Sequence, residues 1–356
     1  MAINRMNKRH HEHQRALDRS LESLGVELTT HCNISCKMCS EWKRREPEID
    51  SNKILSLLDD ARTLGAKKFG TFGAEPFMRK DTADILTYAE RIGFQEICTV
   101  SNGLLLNNKQ ILDKLEKLRT LIMVISLDGP KDVHDDLRGK GSFKGAVEAL
   151  RELRLRGITC SITSIIMRQT LDSLKEIVDI AVALNIPVIS MQPYQREISG
   201  LKKNHEEFEF RPEEERAVRK KLRLLMRYAA NRKVLVYTAS MMKYVPPYLT
   251  RGIRFIPPNG CHVPSKVLKV DSSGNCYPCV MIIIRMKQKS IGNVYEKSLK
   301  DLWHNQIHQE LNLLALNRKC PSCLAGCSDV ESYNAISKEI WPLKLITRVI
   351  NRLDCR

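Results

Sequence analysis

From about residue 25 to residue 231, strand-sized apolar runs alternate with segments whose apolar residues recur at helical spacing. That alternation is what most narrows the folds open to this chain. Apolar runs at 25–30, 68–72, 96–100, 121–127, 158–166 and 186–191 read as strands, and 51–64, 82–92, 108–118, 143–156 and 171–184 as the helices between them. Ser51 suits the N-cap of the first helix and Gly65 its stop, with Ile54, Leu55, Leu57, Leu58 and Ala61 along one face. Strands separated by helices pair in parallel, because each crossover returns the chain to the same end of the sheet. Residues 212–231 add a further helix: Pro212 fits its first position, Glu213, Glu214 and Glu215 its positive end, and Val218, Leu222, Leu225, Met226 and Ala229 its apolar face. A chain of 356 residues has room for one α/β unit of barrel size and a smaller second unit.

The first strand run ends at HCNISCKMCSEW, which places Cys32, Cys36 and Cys39 on one short loop. Three thiolates from such a loop suit a four-iron cluster with one iron left open to a small ligand. A closed zinc site needs a fourth donor, and His31 is too near along the backbone to wrap easily round the same metal. Three cysteines cannot form two disulfides.

The formal charge of +17 points to an anionic contact but does not choose among nucleic acid, a phosphorylated substrate, an acidic peptide and a membrane surface. Aromatic residues are only 6% of the chain, and no stretch interleaves them with basic residues as a single-strand platform would, so nucleic acid is not an expected partner. The N-terminal run has no apolar signal core, and no apolar stretch reaches spanning length. With twelve cysteines, this predicts a reducing, cytoplasmic location, with at most peripheral membrane contact.

Read in order, the strand ends carry Gly73-Ala74-Glu75-Pro76, Ser101-Asn102-Gly103, Ser126-Leu127-Asp128-Gly129 and Arg138-Gly139. With the cysteine loop, these resemble the radical S-adenosylmethionine (SAM) superfamily over about residues 24–195. The resemblance implies a partial (β/α)6 TIM-like barrel with its active site at the C-terminal mouth. It also implies a [4Fe–4S] cluster on Cys32, Cys36 and Cys39, SAM on the open iron, and reductive cleavage of SAM to a 5′-deoxyadenosyl radical that abstracts hydrogen from a C–H bond. Gly73, Ala74, Glu75 and Pro76 would meet the methionyl amino group, with Glu75 as acceptor. Ser126 and Arg138 would take the carboxylate, Asp128 would belong to the same cofactor-binding set, and Ser101 and Asn102 would lie near the ribose. Two positions depart from the family pattern: Ala74 replaces the second glycine, which is tolerable unless that residue needs positive φ, and Met38 replaces the aromatic before the third cysteine.

Past residue 231 the composition shifts to short strands, paired prolines and more cysteines. Cys261, Cys279, Cys320, Cys323 and Cys327, with the intervening GNVYEKSLKDLW and CPSCLAGC segments, resemble the SPASM and twitch extensions that hold auxiliary iron–sulfur clusters. Cys261, Cys279, Cys320 and Cys323 fit one auxiliary [4Fe–4S] cluster; a second arrangement groups Cys320, Cys323 and Cys327 with Cys355, and a zinc ribbon would use similar pairs. Cys276 reads as structural, and Cys98 and Cys160 as small core residues. The expected units are a polar basic leader over 1–22, a barrel over 23–235, an auxiliary-cluster domain over 236–335 and a basic amphipathic helix over 336–356 that docks on the barrel or meets an anionic surface.

The resemblance leads to an oxidoreductase-type radical enzyme acting on a peptide or protein side chain, or on a sugar, aminoglycoside or lipid-linked intermediate. RNA modification and a non-catalytic iron–sulfur carrier are the remaining readings. A flavodoxin or ferredoxin would supply electrons. Only 31 residues precede Cys32, too few for a fused peptide-recognition domain, so a separate recognition protein is expected for a peptide substrate. No catalytic hydrogen donor is assigned, and Tyr194 is a candidate to test.

Overall fold

The computed structural model describes residues 20–199, 201, 205–255, 260–279, 281 and 290–320. The six anticipated strands are present as β1 (Ser23–Glu27), β2 (Lys68–Phe72), β3 (Glu96–Ser101), β4 (Leu121–Ser126), β5 (Cys160–Ile166) and β6 (Val188–Pro193). Helices α1 (Ser51–Thr63), α2 (Thr82–Arg91), α3 (Lys109–Leu115), α4 (Lys131–Arg138), α5 (Ser142–Leu155) and α6 (Leu174–Ala183) lie between them. β1 to β6 pair in parallel in chain order, so the α/β class and the open, barrel-like sheet are as the sequence predicts.

The sheet is longer than six strands. β7 (Leu235–Val236) adds beyond β6, while β8 (Val267–Val270) pairs in parallel with β1 and carries β9 (Cys276–Tyr277) antiparallel at the edge. The cysteine-rich C-terminal region thus begins on the open edge of β1, the strand that feeds the cysteine loop. Helices α7 (Glu215–Asn231), α8 (Val245–Arg251), α9 (Leu299–Trp303) and α10 (Gln306–Leu316) complete the described elements used below.

Local chemistry explains where boundaries differ from the sequence expectation. Asp50, not Ser51, caps α1, because its carboxylate accepts from the backbone N–H of Asn52 and Lys53. Asn108 caps α3 in the same way. Helix α6 starts three residues later than its periodicity suggests, since the Thr170 hydroxyl donates to Ile165 O at 2.6 Å and accepts from Met167 N at 3.1 Å, holding that stretch in a turn. Pro212 to Glu214 form a 3₁₀ turn that leads into α7 rather than its first α-helical turn. Helix α4 was not anticipated; it is short and largely polar, and Gly139, at φ 108°, ends it. Leu24, Val26, Ile97, Met123, Ile125, Ile162 and Ile189 are fully buried, as expected for parallel strands covered on both faces.

Candidate active site

The C-terminal ends of β1 to β6 converge on the cysteine loop, and backbone and amide hydrogen bonds tie the loop to four of them. Glu75 N donates to His31 O at 3.0 Å, Asn102 Nδ2 to Asn33 Oδ1 at 2.7 Å, Lys37 N to Leu137 O at 2.9 Å and Ser40 N to Ser199 O at 2.8 Å. The loop is therefore fixed by the turns after β2 and β3, by the end of α4 and by the segment after β6. Ends of parallel strands next to their loops are where α/β sheets assemble ligand sites.

Glu75 is the hub of the second and third turns. Its carboxylate is 1% exposed, accepting from Ser101 Oγ at 2.9 Å and Phe77 N at 3.3 Å through Oε1 and from Asn102 N at 2.8 Å through Oε2. Burial nevertheless holds its pKa above the ordinary carboxylate range. Ser101 also accepts from Gly103 N, and Asn102 Oδ1 from Leu104 N, so the Ser-Asn-Gly turn is closed by its own side chains.

Gly73, at φ 103°, is the position in this turn that requires glycine: an added Cβ would lie 2.7 Å from Glu27 Cγ. Ala74 is not among the residues with positive φ, so its methyl is accommodated. Pro76 opens the 3₁₀ turn that Glu75 caps. Met38 is buried in the apolar core.

Asp128 and Arg138 form a buried pair, with Arg138 Nε donating to Asp128 Oδ2 at 2.6 Å while Asp128 Oδ1 accepts from Ile165 N at 2.7 Å. Arg138 Nη1 also reaches within 3.9 Å of Cys36 Sγ. Burial disfavours the guanidinium charge, yet the neighbouring Asp128 carboxylate outweighs it and holds Arg138 protonated. His134 accepts from Asp128 N through Nδ1 at 3.1 Å, and burial with the neighbouring Arg138 lowers it to about 4, so the ring is neutral near pH 7. Ser126 is buried at the end of β4.

Burial raises the pKa of Cys32 and Cys39 and pushes Cys36 up to about 11, so each carries its proton at neutral pH until a metal displaces it. Among the described residues no group of three or more His, Cys, Asp or Glu gathers as ligands of one metal ion, and His31 is exposed. Three thiols on one anchored loop, with a cation at 3.9 Å from one of them, fit a cluster whose irons spread its ligands apart.

A partly buried ion-pair network that sequence reading missed adjoins this loop. Glu27, at the end of β1, accepts from Arg44 Nη1 at 2.7 Å, Arg44 Nη2 at 3.1 Å and Ser272 N at 3.1 Å, while Arg44 also pairs with Glu41 and Glu46. Only the charge pattern EWKRREPE following the cysteines hinted at it.

In the C-terminal region Cys261 is anchored by its N–H to Ala315 O, and Gly260, at φ 80°, has no room for a Cβ against Leu316 O. Cys279 and Cys320 pack at the edge of the core, whereas Cys276 is fully buried, its backbone joined to Ile291 and Gly292, as a structural residue would be. Cys323, Cys327 and Cys355, the tail helix and the leader to residue 19 lie outside the described residues. Tyr194 is buried, its hydroxyl donating to His205 Nδ1 at 2.9 Å while His205 Nε2 donates to Leu201 O. Cys160 is buried on β5, and burial pushes it and Cys98 up to about 12.

Residues 26–181 match the radical SAM superfamily and residues 261–328 match an iron–sulfur cluster-binding domain, SPASM. The chain thus carries a radical SAM domain and, C-terminal to it, a SPASM domain, and the cofactors that define these domains are SAM and [4Fe–4S] clusters. It is 32% identical over 174 residues to the mycofactocin maturase MftC of Mycolicibacterium smegmatis, covering 47% of this chain and 43% of that protein. It is 28% identical over 166 residues to the Fe-coproporphyrin III synthase of Methanosarcina barkeri, covering 46% of this chain and 41% of that one. The matched segments thus span about two fifths of these curated relatives. The fold is similar to Streptococcus suis SuiB bound to S-adenosylmethionine, with a TM-score of 0.68 at 18% identity over 94% of this chain and 79% of that one. It is also similar to anSMEcpe with bound AdoMet and the Cp18Cys peptide, with a TM-score of 0.65 at 15% identity over 93% and 99%. No described helix is long and apolar enough to cross a membrane.

Proposed function

We propose that this protein is a maturase-like enzyme that modifies a C–H position of a peptide or protein side chain. The observation that carries the radical reading is the placement of Cys32, Cys36 and Cys39 on one loop that the β2, β3, α4 and β6 ends hold together. The peptide branch is supported by the likeness to MftC, which is named a maturase, and by solved relatives with a precursor peptide or the Cp18Cys peptide bound.

When bound, a reduced cluster and SAM supply a primary carbon radical able to take hydrogen from an unactivated C–H bond, chemistry beyond any side-chain acid or base. The chain's own contribution is holding and orientation. In this reading Cys32, Cys36 and Cys39 ligate the cluster. Glu75 receives the methionyl amino group, since among the described residues its Oε2 accepts only Asn102 N and keeps a lone pair. Gly73, Ala74 and Pro76 shape that turn. Arg138, held by Asp128, and Ser126 face the methionyl carboxylate, for which a guanidinium is the matching donor. Ser101 and Asn102 border the ribose. Cys261, Cys279, Cys320, Cys323 and Cys327 supply auxiliary-cluster ligands in the 236–335 unit, with 23–235 as the catalytic unit. A flavodoxin or ferredoxin class reductant and a separate recognition protein complete the proposed system.

The test is anaerobic reconstitution with iron and sulfide, reduction by dithionite, and assay with SAM. Formation of 5′-deoxyadenosine that is lost on Cys36→Ala, together with deuterium transfer into it from a labelled peptide, supports the reading. Absence of deuterium from every peptide, with transfer from a labelled sugar, overturns the peptide assignment.

A further inference from the structure

A cleft of about 390 Å³ opens beside Tyr194, the residue that follows β6, and three arginines, Arg196, Arg251 and Arg254, line it against one carboxylate, Glu209. Phe210 and Tyr248 form its apolar walls, both largely buried. The arginines come from two separate segments: Arg196 leaves the end of β6, whereas Arg251 and Arg254 flank Gly252 at the end of α8. Arg196 is engaged by Glu209 through Nε and Nη2, and Arg251 by Glu215, so the cationic side chains are held in place rather than swinging in solvent. Both remain about half exposed and keep further N–H donors.

The segment that carries Arg196 is tied to the cysteine loop. Ser40, next to Cys39, donates from both its N–H and its hydroxyl to Ser199 O, and Ser199 lies three residues beyond Arg196. Tyr194, on the cleft wall, donates through its hydroxyl to His205 and packs on Phe208 with ring centroids 5.3 Å apart, which orients its ring in that wall.

We infer that this cleft is a substrate subsite that grips the side-chain carboxylates of an acidic peptide segment, with Arg251 and Arg254 as the principal cations and Tyr248 and Phe210 stacking against the peptide. The inference rests on the peptide reading of the function and adds its charge. A guanidinium matches a carboxylate in planar, bidentate geometry, and partial enclosure by aromatic walls strengthens the pairing relative to open water.

The test uses the reconstituted full-length protein and two fluorescein-labelled decapeptides, one with four glutamates and one with glutamine in their place, followed by fluorescence anisotropy. The glutamate peptide is expected to bind more tightly than the glutamine peptide, to weaken with added salt, and to lose on the order of tenfold in affinity on Arg254→Gln. Arg254→Glu should bind a lysine-bearing peptide better than the unaltered protein does, a gain that a merely unfolded variant cannot give. Equal binding of the glutamate and glutamine peptides, or indifference to Arg254→Gln, overturns the inference. So does arginine-dependent binding of the tetracarboxylate coproporphyrin III with no binding of the acidic peptide. If the acidic peptide binds in the arginine-dependent way but no peptide gives deuterium to 5′-deoxyadenosine, the subsite stands and the peptide-modification reading falls.

Discussion

Glu27 and Arg44 form a two-point ion pair, Nη1 to Oε1 at 2.7 Å and Nη2 to Oε2 at 3.1 Å, that joins the end of the first strand to the segment just beyond the cysteine loop. Because Glu27 also accepts from Ser272 N and leaves no room for a side chain at Gly73, one carboxylate sets the spacing of three structures: the cysteine loop, the turn that Glu75 caps, and the edge of the C-terminal region.

Arg44→Met is expected to cost about 2–3 kcal/mol, more than Glu27→Gln, since it leaves a carboxyl that is 2% exposed without its cation. Burial already raises the pKa of Glu27 in spite of Arg44. A carboxyl with raised folded pKa weakens stability as pH climbs through that value, so the Arg44→Met deficit should be larger at pH 8 than at pH 5. Urea midpoints of the two variants at both pH values check this, and a deficit that grows on acidification contradicts it.

Gly73→Ala should destabilise by roughly 1–3 kcal/mol, from positive φ and from the approach to Glu27. Restoring the family's glycine with Ala74→Gly should change stability by less than about 1 kcal/mol, since Ala74 needs no unusual backbone. Thermal midpoints measured side by side distinguish the two positions.

For Glu75→Gln, formation of 5′-deoxyadenosine is expected to fall by at least about tenfold, because the amide end turns a donor toward one of the backbone or hydroxyl donors the carboxylate now accepts. Ser101→Ala removes one of those hydrogen bonds and should cost only about 1 kcal/mol of stability. Equal, undiminished SAM cleavage in both variants would remove Glu75 from the cofactor site.

Acid sensitivity should trace in part to His134. Its folded value of about 4 lies below the ordinary 6.5, so the unfolded chain binds the extra proton and stability falls as pH drops from 6.5 toward 4, by up to about 3 kcal/mol. His134→Gln keeps an acceptor for Asp128 N without the titration and should flatten this part of the stability–pH curve. An unchanged slope would assign the acid loss to other groups, such as the buried His308.

The alternation of apolar runs with helical periods determined the six strands, and the order of motifs along the chain placed Cys32, Glu75, Ser101, Ser126 and Arg138 at or after strand ends, because parallel strands with helical crossovers return every turn to one edge of the sheet. Spacing of three cysteines within eight residues is likewise a local property, so their shared loop was legible from sequence. The hydrogen bond from Ser272 to Glu27 joins residues 245 positions apart, and the cleft arginines meet only because the segment after β6 and the end of α8 fold to the same side. No periodicity encodes such a meeting; it depends on which sheet edge stays open to receive β8 and on how α8 packs against α7, and those are decided only when the whole core closes.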